Sequence, residues 1–270
     1  MTAATFRISI LLASLVLSCS PAIEAQPKLL ESDIDERVAR VEKRLGLKIA
    51  VHPKDIPECT WPLTFAPVDR EQQKLLESYL DILEEELGKY PADFLKRTKL
   101  KVVALGRGLQ FRKQPRAALP DYVKETLYYD IDYLVTSDAS YVRHVIHHEY
   151  YHMIEEEWNG SAYYKDPAWA KLNESDFRYG TGGVNARNGD VSVFDHPRSG
   201  FVNGYAMSGL EEDKAEVWAS MFLAERWKLV GPWAEEDRRL AAKIAFLEKA
   251  AKKVSRKMDD AYWKKLRLGR

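Results

Sequence analysis

The chain has 270 residues, 46% of them hydrophobic, which is ordinary for a globular protein and allows one domain of generous size or two small ones with a real core. Its 41 Lys and Arg match 41 Asp and Glu, so the formal net charge is zero. No global field draws such a chain to nucleic acid, and its function has to be sought in a site.

Residues 1–7 carry one positive charge, and Ile8 to Leu17 form an apolar run of ten before small and polar residues resume. This is the layout of a secretory signal peptide over residues 1–25, too short to span a bilayer as a permanent helix. It predicts an exported protein, periplasmic or at the cell surface, with a single mature domain over 26–270. Val16-Leu17-Ser18-Cys19 resembles a bacterial lipobox, which implies membrane attachment through a lipidated Cys19. Simple cleavage after Ala22 or Ala25 is the alternative. Cys59, the other cysteine, is a lone thiol if Cys19 is lipidated and a candidate for pairing if it is not.

The mature chain opens with a charged helix over Ser32–Leu45, a strand over 47–51 and a loop through Trp61 and Phe65. Leu75, Leu76, Tyr79, Leu80, Leu83 and Leu87 then recur at the three-and-four spacing of one buried helix face, predicting a helix over 70–88. Lys101 to Leu105 reads as a buried strand ended by Gly106 and Gly108. Residues 126–135 are rich in Tyr, Leu, Ile and Val, as a second strand needs. The alternation of Tyr and Asp there suits a half-exposed strand at the lower edge of the sheet, free to pair with an extended substrate.

Residues 137–158 lack Gly and Pro, and Ser137 or Asp138 can cap the first turn, so a helix follows. It contains His148-Glu149-Tyr150-Tyr151-His152. Histidines four apart share a helix face and can reach one zinc ion, while the Glu between them can reach a water on the metal. Zinc lowers the pKa of such a water and a carboxylate beside it takes the proton, which is peptide hydrolysis without a covalent intermediate. The alternative reading is a charged, partly exposed helix face.

Further on, Ser208-Gly-Leu-Glu211 has the spacing of a capping box and opens a helix through Glu212, Ala215, Glu216, Ala219 and Leu223. Glu212 and Glu216 share a face with apolar residues, where carboxylates are costly to bury unless a cation meets them. A zinc ion with its histidines meets that requirement, and a structural salt bridge is the alternative.

The run from Gly204 to Glu216 resembles the second motif of gluzincins of the anthrax lethal factor and Pro-Pro endopeptidase type. There a Tyr lies seven residues before the ligand Glu and another Glu four after it. Tyr205, Glu212 and Glu216 match these positions, and the resemblance implies an oxyanion stabiliser, a third zinc ligand and a supporting carboxylate. The chain is also similar to the zinc-binding metallopeptidases found among exported bacterial proteins. The likeness covers about residues 126–227 at motif level and does not reach substrate-specificity residues. It implies an α+β, zincin-like fold: a small mixed β-sheet packed on the HExxH helix, with a mainly helical C-terminal half.

The 59 residues between His152 and Glu212 depart from that pattern. They form a long loop whose Trp169, Phe177, Tyr179, Gly180, Gly182 and Gly183 either wall a substrate cleft or pack beneath it. His144, one turn before His148, is read as supporting or solvent-facing, and His196 as a weaker rival to Tyr205. Residues 235–266 read as a closing helix or pair of helices with a solvated lysine face.

The expectation is therefore a zinc endopeptidase with one Zn2+ per chain. His148, His152 and Glu212 are its ligands, Glu149 is the base, and Tyr205 and Glu216 assist. Its partner is a peptide or protein substrate, not nucleic acid. The alternative is an exported binding or scaffold lipoprotein on a zincin fold with a structural zinc.

Overall fold

The computed structural model describes residues 32–182 and 193–269. The leader, Cys19 and Gly183 fall outside them. Helix α1 (Ser32–Leu45) leads into β1 (Lys48–Ala50), and β2 (Leu63–Ala66) follows after a loop. A short 3-10 turn opens α2 (Gln73–Leu87), whose leucine face is buried as its spacing requires. After α3 (Ala92–Lys96) comes β3 (Val102–Phe111), the long strand at the centre of the sheet.

The first half of β3 pairs in parallel with β1 and with β6 (Thr126–Asp130). Its second half pairs antiparallel with β2 and with the short β4 (Gln114–Pro115). The two glycines read as strand terminators instead let one strand serve both ladders. A Cβ on Gly106 would lie 2.5 Å from the Phe65 ring and 2.6 Å from the Ala66 carbonyl, so β2 can approach only because none is there. Gly108 takes a φ of +61°, which costs a glycine nothing.

β5 (Ala118–Asp121) pairs antiparallel with β6 and completes the order β1-β3-β6-β5. β6 therefore has partners on both sides, and the expected substrate-pairing edge over 126–135 is not there. All five of its residues are buried, because both faces of the sheet are covered. Tyr129 enters the main core beside Tyr79, while Tyr128 enters a smaller one with Ala50, Ala104 and Leu109, its hydroxyl donating to the Pro57 carbonyl at 2.8 Å. The strand stops at Asp130, whose carboxylate accepts the N–H groups of Leu109 and Asp132 and turns the chain into α4 (Tyr133–Thr136). The sheet edge nearest the site is β5.

α5 (Ala139–Asn159) carries the HExxH run, capped by the Asp138 carboxylate on the Tyr141 N–H at 2.7 Å and closed by left-handed Gly160. It packs between α2 and α7 (Leu210–Phe222), so it is apolar on two sides and polar where it meets the cleft. α6 (Pro167–Ala170) lies in the long loop, α8 (Ala224–Glu236) follows α7, and α9 (Arg238–Val254) and α10 (Asp260–Arg267) are the closing pair expected over 235–266. The protein is a mixed α+β fold whose small sheet stacks on the HExxH helix, with a mainly helical C-terminal half.

Candidate metal centre

One turn of α5 separates His148 from His152 and brings their Nε2 atoms to 3.2 Å. Glu212, in the first turn of α7, points its Oε2 at the same spot, 3.0 Å from His148 Nε2 and 3.6 Å from His152 Nε2. Four donors set tetrahedrally at the usual zinc distances of about 2.0–2.1 Å are separated by roughly 3.3–3.4 Å. The three edges straddle that value, so this triangle of two imidazoles and one carboxylate fits a zinc ion with a fourth direction left open.

The charges make the same demand. Burial opposes ionisation of Glu212, but contacts with His148 and His152 overcome it and hold the carboxyl well below the usual range. Glu216 behaves alike, with His144 and His148 as its partners. Burial would lower the pKa of His148, yet the two carboxylates raise it well above the ordinary histidine value. Two buried anions on one ring need positive charge beside them, which either a protonated His148 or a metal ion supplies.

Glu216 lies one helical turn behind Glu212. Its Oε1 is 2.8 Å from His148 Nδ1, a close but bent contact, and accepts from His144 Nε2 at 3.0 Å. His144, His148 and Glu216 thus form a second cluster of possible donors. His148, His152 and Glu212 line the cleft together, whereas His144 and Glu216 do not. The first trio faces incoming molecules and the second supports it from behind.

The cleft, of about 130 Å³, is also lined by Glu149, Tyr205 and Glu211, and by Ala118, Leu119 and Pro120 of β5. Tyr205 lies in a 3-10 turn, Tyr205–Met207, with its ring 5.9 Å from that of His148. Larger surface hollows of 620 and 890 Å³ contain neither histidine of the metal pair, so donor chemistry, not size, picks out the site.

The capping box does not form. Gly209, in extended conformation, is the N-cap of α7 and makes no side-chain cap, while the Ser208 hydroxyl is buried without a partner. Glu211 instead folds back over Gly209, where a Cβ would meet its Oε1 at 2.5 Å. Of the loop aromatics, Trp169, Phe177 and Tyr179 pack into the core: Trp169 Nε1 and the Tyr179 hydroxyl both donate to Asp213 Oδ2, at 2.8 and 2.6 Å. His196 stacks on Trp233 and binds the Phe201 carbonyl, away from the cleft.

Sequence reasoning missed the cleft residues Arg116, Tyr122 and Tyr163, and the buried Asn203 that binds Glu216. The first three are brought in by β5 and the loop after α5, and no periodicity marks them. Asn203-Gly204 carries a turn signal in the sequence, but a turn signal does not say what the side chain will hold.

Residues 73–261, well over half the chain and including every residue named for the site, match the family described as "Putative zinc-binding metallo-peptidase". The chain belongs to this family. A crystal structure of a family namesake, described as a putative zinc-binding metallo-peptidase from Bacteroides caccae, shares the fold. It superimposes with a TM-score of 0.55 at 19% identity, over 89% of this chain and 93% of that one. Curated proteins give no match. The likeness of the second motif to the lethal factor type rests on the motif alone.

Proposed function

We propose that the protein is a zinc endopeptidase that cleaves extracytoplasmic peptides or proteins. The observation that carries this reading is the donor triangle of His148, His152 and Glu212 at the floor of a cleft that also holds Glu149 and Tyr205. Three protein donors with an open direction are the pattern of catalytic zinc, whereas structural zinc is closed by four. When bound, zinc supplies a Lewis acid that acidifies a water and polarises a carbonyl.

The chain's own groups do the rest. Glu149 takes the proton of the attacking water and returns it to the departing amine. The Tyr205 hydroxyl donates to the carbonyl oxygen as negative charge builds there. Glu216 holds the His148 ring from behind. Among the described residues β5 is the end strand of the sheet beside the donor triangle, and an extended peptide can lie along its outer side as an added strand. Location outside the cytoplasm, and attachment through Cys19, rest on the leader sequence alone.

The test is cleavage of a peptide library by the zinc-loaded protein beside Glu149→Gln. Loss of a general base should lower kcat by about 10²- to 10⁴-fold. Cleavage that survives unchanged in Glu149→Gln would refute the role of Glu149. If the wild type cleaves no peptide, a binding protein on a zincin fold becomes the better reading.

A further inference from the structure

The Asn203 side chain is buried, at 1% exposure, between α7 and the turn that carries Tyr205. Its Nδ2 donates to Glu216 Oε2 at 2.7 Å, and its Oδ1 accepts the Ala206 N–H at 2.8 Å. A carboxylate only accepts and a backbone N–H only donates, so one orientation of the amide satisfies both and the flipped one satisfies neither. On the other side of Glu216, Oε1 takes the His144 N–H and lies against His148 Nδ1. Both oxygens of the carboxylate are thereby engaged, and one of them lies against the His148 ring. Ala206 directly follows Tyr205 in its turn.

We infer that Asn203 is a positioning residue that joins the two halves of the site. One end of its amide holds Glu216, and through it the metal-facing His148, while the other holds the turn that aims Tyr205 into the cleft. The inference rests on the metallopeptidase reading above and adds a residue that neither sequence motif contains.

The two ends can be separated. Asn203→Asp is isosteric and keeps the acceptor for the Ala206 N–H, but turns an oxygen towards Glu216 in place of the donor. Asn203→Ala removes both. Zinc affinity of the metal-stripped proteins, measured by chelator competition, should fall about 10- to 100-fold in both variants, the usual effect of losing a partner behind a ligand. At saturating zinc, kcat should fall in Asn203→Ala a further 10- to 100-fold or so below that of Asn203→Asp, with KM little changed, because only Asn203→Ala frees the turn.

Zinc affinity within about twofold of wild type in Asn203→Asp, alongside a lowered unfolding temperature, would show a purely structural residue and overturn the inference. Equal kcat in the two variants would overturn the half that concerns Tyr205. Should Asn203→Ala fail to fold, the isosteric variant decides through its zinc affinity. Wild-type protein that binds zinc but cleaves nothing counts against the peptidase reading and leaves the affinity comparison to judge Asn203.

Discussion

Tyr205 shows how one side chain's chemistry sets what its loss should do. In the proposed mechanism its hydroxyl acts on charge that develops only as the bond breaks, so removing it should spare the ground state. Tyr205→Phe should keep its zinc and lose about 10²- to 10³-fold in kcat, the range seen when one oxyanion donor is removed. Zinc content and steady-state kinetics on the same preparation check both halves, and loss of zinc would make Tyr205 a ligand instead. Glu86, on the opposite side of α5, gives a prediction in pH. It is fully buried, accepts from His147 Nε2 at 2.6 Å and pairs with Lys89 and Arg143. Burial pushes its carboxyl up, but His147 and Lys89 outweigh this and bring it down to about 2. A folded-state value below the ordinary carboxylate value means stability that is present above about pH 4.5 and is lost as pH falls towards 2. Glu86→Gln should therefore cost about 3 kcal/mol at pH 7, as breaking a buried pair does, and the gap to wild type should close below pH 4.5. Urea unfolding at several pH values tests this, and a gap that stayed constant down to pH 2 would contradict it.

At the level of elements, the parts of the sequence that speak for themselves are those whose signal is local. α1 and α5 fall where caps, breakers and periodicity put them, and α2 begins with a 3-10 turn inside its expected span. The donors at 148 and 152 follow from helix geometry alone. What was not legible depends on long-range packing. The segment over 126–135 looked half-exposed because Tyr and Asp alternate there, yet a second small core covers the far face of β6. β3 continues through two glycines because β2 needs the space that they leave. The loop aromatics were undecided because their partner, Asp213, lies on α7, which is distant in sequence. Asp213 also joins α7 to α9: Lys243 Nζ, completely buried, lies 2.7 Å from its Oδ2 and donates to the Gly200 carbonyl. Lys243→Met leaves Asp213 buried and short of its cation, which should cost about 3 to 5 kcal/mol in denaturant unfolding. A loss below about 1 kcal/mol would mean that Trp169 and Tyr179 suffice for Asp213.

Across the whole molecule, zero net charge leaves no general attraction to polyanions, and the chemistry gathers in one cleft between β5, α5 and α7. Outside it, the Cys59 thiol is pushed up to about 11, chiefly by burial against the sheet, which makes it a poor nucleophile at neutral pH. The family match and the shared fold account for a zinc-binding metallopeptidase, and the donor triangle names the residues that should hold the metal. The most direct test is the zinc content per chain of wild type, His148→Ala, Glu212→Gln and Glu149→Gln, purified alike and shown to be folded. Wild type and Glu149→Gln should each hold about one zinc, and the other two close to none, since removing a ligand strips the metal and removing the base does not. Zinc lost from Glu149→Gln, or retained in full by Glu212→Gln, would contradict these assignments.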